Sequence, residues 1–192
     1  MGLPGIEVRE IDTLLGEHYF HEVFLENLRV PASCRLGDEN DGWGVAMYAL
    51  QYERVGLPRY ARSMRLLERL AEDAMARGRL AEPSLDGALR HARALCAAAR
   101  ILYYRVVDQR VRGGPPTADS NVARVALTMA DRAVGDLALE VWGSEAFAYG
   151  SPGDAHFRAA MPAGIATGTT EIQLGLVAER LLGLPRERVR ES

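Results

Sequence analysis

The residues of this chain with the clearest capacity for chemistry lie near its C-terminus, in "GIATGTTEIQ", Gly164 to Gln173. A glycine among three threonines marks a turn opening a helix, where backbone N–H groups point outward without intrahelical partners and cradle a phosphate or a reacting group. The one carboxylate here, Glu171, falls inside the helix start and not at the tip of the turn. An acid or base for such a site must therefore come from elsewhere. The four histidines, His18, His21, His91 and His156, lack helical ligand spacing, and Cys34 and Cys96 stand alone, so neither a metal site nor a disulfide framework is expected. The cysteines read as packing residues. "RGGPP" reads as a helix stop and not as a phosphate loop.

The elements that must position these residues are mostly helical. Residues 6–12 and 19–30 alternate enough to predict two short strands, the second ended by Pro31. Two strands alone do not make a stable sheet, so they are expected to pair outside this chain or lie against its helices. From Trp43 to Arg77 apolar residues recur at helical spacing (Val45, Leu50, Val55, Met64, Leu67, Leu70, Met75), with Pro58 set to kink or restart the helix. Further helices are predicted over Leu85 to Val111, Asn121 to Trp142, and Thr170 to Leu182, the last with Thr170 and Gln173 as a capping box. A short segment around Phe157 precedes the closing turn. The fold class expected is mainly α, a four-helix bundle preceded by a short β segment. Trp43 and Trp142 are expected as core anchors.

Two long stretches carry a resemblance. "HEVFLENLRVPASCRLGDENDGWGVAMYALQYER" resembles the end of the middle β-domain of acyl-CoA dehydrogenases running into their C-terminal bundle. "VWGSEAFAYGSPGDAHFRAAMPAGIATGTTEIQLGLVAERLLGLPRE" resembles the closing segment of the same family. The resemblance divides the chain into residues 1–36, the end of a β-domain, and 37–192, the helical bundle. It implies a flavoenzyme, with FAD as cofactor, in which a carboxylate takes the α-proton of an acyl thioester while the β-hydrogen leaves as hydride to the flavin.

The resemblance also supplies the missing base. Most members carry a glutamate directly before the Gly-Thr of the closing turn, and Thr167 stands there instead, a hydroxyl with no partner in sequence to activate it. Some members, isovaleryl-CoA dehydrogenase among them, carry the base in a Glu-Arg pair on the first bundle helix. "LQYERVG" matches that place, which makes Glu53 the candidate base and Arg54 the candidate acyl-CoA-binding arginine. Thr169, Glu171, Gly143, Ser144 and Arg158 match positions that contact or adjoin FAD. Departures from the family pattern are Gly143-Ser144 for a glycine pair, Ala146 for the glycine after it, Leu174 for an arginine, and "ARGRLAEPSL" for the segment that reaches a neighbour's FAD.

Composition bounds the partners. The 192 residues carry 23 basic against 26 acidic side chains, interspersed, with net charge -3, and every basic residue is arginine. Nucleic acid is not an expected partner. With no apolar run of about 18 residues and no leader pattern at the N-terminus, a soluble cytoplasmic protein without membrane association is expected. The expected partners are an acyl-CoA or acyl thioester substrate and a second polypeptide carrying the N-terminal and β-domains, docked on residues 1–35 in a homo- or hetero-oligomer. The alternative is a non-catalytic helical subunit that completes such an assembly.

Overall fold

The computed structural model describes residues 2–13, 15–16, 18–53, 57–166 and 168–186, with the backbone alone for Glu53, Leu57 and Pro58. The chain divides into two compact units, Met1–Ala49 and Leu50–Ser192. In the first, β1 (Ile6–Ile11) pairs antiparallel with β2 (Phe20–Leu25), Ile6 opposite Leu25 and Ile11 opposite Phe20. The strands thus pair with each other, where sequence reasoning sought their partners elsewhere. The hairpin is a small one: Val23, Leu25, Phe20 and Phe24 all remain exposed, and Arg9 stacks over the Phe24 ring at 4.6 Å.

The expected first helix is two helices, α1 (Gly42–Glu53) and α2 (Leu57–Ala76). Then come α3 (Pro83–Val111), α4 (Asp119–Trp142), a short α5 (Pro152–Ala160) and α6 (Thr170–Arg180). The molecule is mainly α, a helical bundle preceded by a short β segment. Among the described residues no helix is long and apolar enough to cross a membrane.

The core lies where α2, α3 and α4 meet. Leu66, Leu67, Leu70 and Ala74 face Leu85, Leu89, Ala92, Cys96 and Ala99, with Ala130, Val134, Leu137, Ala138 and Val141 from α4. Burying each large side chain contributes about 1.5–3 kcal/mol. The alanines at facing positions let α3 and α4 approach closely along their length. A second cluster, Tyr103, Val106, Ala123 and Leu127, extends the packing toward the other end of the pair.

Several expected core residues are elsewhere. Trp43 is 79% exposed, and Met75, one step past the buried face of α2, is 63% exposed. Trp142, by contrast, is half-buried and packs against the core as expected, its indole N–H donating to Asp73 Oδ2 at 2.7 Å. Cys34 is exposed, whereas Cys96 is buried and its thiol is pushed up to about 11 by desolvation, with Asp131 adding to the shift.

Candidate functional site

The buried side of α4 is apolar in its second half and carries a polar row beside apolar residues in its first. Asn121, Arg124, Thr128 and Asp131 recur at intervals of three and four, so all four lie on one helix face, and all are buried. Three of them fasten the closing turn. Asn121 Nδ2 donates to Gln173 Oε1 at 2.5 Å, and Gln173 Nε2 donates to the carbonyl of Gly168 at 3.4 Å. Arg124 donates to the carbonyl of Ala166 at 2.7 Å, and Thr128 Oγ1 lies 3.4 Å from that of Ala163. Gly164 lets the turn come this near, because a Cβ there would stand 3.3 Å from both Thr128 Cγ2 and Arg132 NH2.

The start of α6 is built for local capping. Thr169 is the N-cap, its hydroxyl accepting from the Ile172 N–H at 3.3 Å. The expected box of Thr170 with Gln173 does not form, since Gln173 is spent on Asn121. Glu171 is exposed in the first turn and its carboxyl is held below the usual range, first by its own backbone N–H, then by the Thr169 hydroxyl, with a contribution from Arg132. The Thr170 hydroxyl is buried without a partner among the described residues.

A second element converges on the same end of α4. Arg110, in the last turn of α3, donates to the carbonyls of Gln51 at 2.6 Å and Tyr52 at 2.8 Å, at the C-terminal end of α1. Gln51 also shares a cavity of about 290 Å³ with Thr117, Ser120, Asn121 and Arg180. Glu53, two residues after Gln51, is the last residue of α1; Arg54, like Thr167, lies outside the described residues.

Gly143, Ser144 and Arg158 belong to the opposite end. Gly143 terminates α4 with φ of +61°, and the 19 steps from Arg124 put it ~28 Å away along the helix. Arg158 pairs with Asp154 at 2.9 Å and stacks over Tyr149, 5.2 Å from its centroid. The closing turn that carries Thr169 and Glu171 is tied through Gln173 to Asn121, which shares a cavity with Gln51, whereas Gly143 ends α4 and Arg158 lies on α5.

Between the two lies a buried polar cluster that sequence reasoning missed. Ser63 donates to Asp131 Oδ1, Arg62 approaches Asp131 Oδ2 at 3.6 Å, and His156 Nε2–H donates to the Asp131 carbonyl at 3.0 Å. These bonds join α2, α4 and α5. The signal was present in the spacing: Asn121, Arg124, Thr128 and Asp131 follow the same face as Leu127 and Val134, so they had to be either buried and paired or the stripe had to be wrong.

Comparison with known proteins gives one consistent answer. Residues 40–182 match the model of the acyl-CoA dehydrogenase C-terminal domain. The chain is 31% identical to acyl-CoA dehydrogenase IpdE1 of Mycolicibacterium smegmatis over 190 residues, which cover 96% of this chain and 47% of that one. It is 28% identical to the short-chain specific acyl-CoA dehydrogenase of Megasphaera elsdenii, covering 94% and 50%. The solved butyryl-CoA dehydrogenase of Megasphaera elsdenii superposes with a TM-score of 0.84 at 25% identity, covering 94% of this chain and 50% of that chain. PigA, solved with FAD and proline, shares the fold with a TM-score of 0.84 at 23% identity, covering 95% and 50%. The chain spans about half the length of these relatives.

Proposed function

From the premise that this chain belongs to the acyl-CoA dehydrogenase family, as its C-terminal domain, we propose that it is the C-terminal part of an FAD-dependent enzyme that removes two hydrogens from an acyl thioester, with Glu53 as base. The observation that carries this reading is the convergence of two elements on the N-terminal half of α4: the end of α1, which carries Glu53, and the closing turn, fastened by Asn121 and Arg124. A base moved from the turn to α1 must still face the same reacting carbons, and this convergence supports that reading.

In the reaction, the Glu53 carboxylate takes the proton from the α-carbon, the α C–H electron pair becomes the new C=C bond, and the β-hydrogen leaves with its pair. FAD, when bound, supplies the acceptor for that hydride. Arg54 is assigned to the acyl-CoA. Substrate that covers Glu53 excludes water and raises the carboxyl pKa, which strengthens it as a base.

The residues at the α6 start fit a flavin in part. The unpartnered buried Thr170 hydroxyl offers a polar contact, while Glu171 already occupies the positive pole of the helix. That charge disfavours a phosphate there, so Thr169 and Glu171 are assigned to an uncharged portion of FAD. Gly143 and Ser144, ~28 Å along α4 from Arg124, and Arg158 on α5 are assigned to a contact remote from the reacting carbons. The N-terminal and β-domains of such an enzyme are assigned to a partner polypeptide docked on residues 1–36, where the hairpin leaves Phe20, Val23, Phe24 and Leu25 exposed.

The test is the colour and chemistry of the chain purified with the polypeptide that completes it. A yellow complex whose flavin is bleached by an acyl-CoA is expected, with Glu53→Gln abolishing bleaching while FAD stays bound. A colourless complex would sink the enzyme reading, and undiminished bleaching by Glu53→Gln would place the base elsewhere.

A further inference from the structure

Glu53 closes α1, and that is an awkward place for a carboxylate. The last carbonyls of a helix have no intrahelical donors, and the negative end of its dipole repels an anion. An uncapped end also frays, which would leave a base without a fixed direction.

Arg110 addresses both problems from another helix. It stands in the last turn of α3, where a cation ordinarily stabilises its own helix. Its guanidinium is instead turned onto α1, one terminal nitrogen on the Gln51 carbonyl at 2.6 Å, the other on the Tyr52 carbonyl at 2.8 Å, with the Tyr52 ring 5.3 Å away. Two carbonyls held by one planar fork fix the direction of the helix end, which a single lysine ammonium does not do. The arrangement carries a cost. Nε is buried without a partner among the described residues, no described carboxylate pairs with Arg110, and burial holds its pKa below the ordinary arginine value. A cation placed this way is explained by the two carbonyls it holds.

We infer that Arg110 is a positioning residue: its fork clamps the last turn of α1 and sets the direction from which Glu53 meets the substrate. This rests on the reading of Glu53 as base, but the clamp itself is independent of it.

The experiment compares Arg110→Met and Arg110→Lys in the full chain, alone and in its flavin-loaded complex. Alone, amide hydrogen exchange of the peptide ending α1 is expected to quicken on the order of tenfold in Arg110→Met, with α3 and α4 unchanged. In the complex, the limiting rate of bleaching, measured with whichever straight-chain acyl-CoA the parent uses fastest, is expected to fall by about tenfold to a hundredfold while KM stays within about twofold. Arg110→Lys should recover part of that rate, and added ethylguanidinium should recover part of it in Arg110→Met. Unchanged exchange at the end of α1 overturns the clamp. Quickened exchange with an unchanged limiting rate, or loss confined to KM, overturns the positioning role. If Glu53→Gln keeps full activity while Arg110→Met frays α1, the base assignment has failed and the clamp has not. Should Arg110→Met fail to fold, Arg110→Lys carries both readouts, since it keeps the charge and loses the fork.

Discussion

The side-chain amide of Asn121 donates to that of Gln173 across 2.5 Å, and both residues are almost wholly removed from water. Gln173 passes the contact on to the Gly168 carbonyl, so one side chain on α4 governs where the closing turn ends and α6 begins. Asn121 also lines the cavity that contains Gln51, which connects it to both arms of the proposed site.

Asn121→Leu is expected to cost about 1–3 kcal/mol, because it leaves a buried amide without its donor. For a chain of this size that lowers the thermal midpoint by roughly 2–4 °C per kcal/mol. Gln173→Leu should cost at least as much, since it also releases the Gly168 carbonyl. The double variant should cost less than the sum of the two, as removing both polar partners strands neither. Strict additivity in a double-mutant cycle would show that the pair is not coupled.

Gly168 sits at φ of +99°, and a Cβ there would lie 2.6 Å from Gln173 Nε2. Gly168→Ala is therefore expected to destabilise by about 1–2 kcal/mol from backbone strain alone, with a further loss as the amide is displaced. Gly135, in the middle of α4 with nothing within 4 Å of its would-be Cβ, is the control. Gly135→Ala should stabilise by about 0.5–1 kcal/mol. Calorimetry on both variants decides, and equal midpoints would count against the turn geometry.

The helices were legible in the sequence because their periodicity is strong, and Pro83 and the Gly143 terminator mark ends that the structure keeps. The start of α2 at Leu57 was foreshadowed by Pro58. What was not legible came from three physical sources. Exposed Trp43 shows that aromatic content predicts burial only when a facing surface exists. The Asn121, Arg124, Thr128 and Asp131 row was hidden because polar residues are read as solvent-facing, although their spacing placed them on the buried face. The role of Arg110 depends on a contact across 58 and 59 residues, which no local pattern encodes.

The α2 stripe separates periodicity from burial. Leu70 is fully buried, whereas Met75, counted with it on sequence grounds, is mostly exposed. Leu70→Ala should cost about 2–5 kcal/mol and Met75→Ala within about 0.5 kcal/mol. Urea titrations of the two variants read this directly. A large loss at Met75 would mean that face is covered by another molecule in solution.

His156 makes the stability of the bundle dependent on pH. Its Nε2–H is committed to the Asp131 carbonyl, so the neutral ring leaves Nδ1 unprotonated, buried and without a partner among the described residues. Burial pushes the imidazole below its ordinary value of 6.5, and the nearby Arg62 charge pushes the same way; the Asp131 carbonyl and carboxylate oppose them without prevailing. The unfolded chain therefore takes up a proton at this residue before the folded one does. Stability from the neutral ring is fully present above about pH 6.5, falls as pH drops from there toward the folded value, and levels off below it. Asp119, held low mainly by the Thr117 hydroxyl, and Asp154, held low mainly by the Gly150 N–H, act in the same direction but only below about pH 4. Denaturant midpoints measured at several pH values between about 7.5 and 5 should thus fall for the parent and flatten for His156→Leu, whatever that variant costs at neutral pH. A parent that gains stability over this interval, or a His156→Leu variant with the parent's slope, would place the proton uptake on another group.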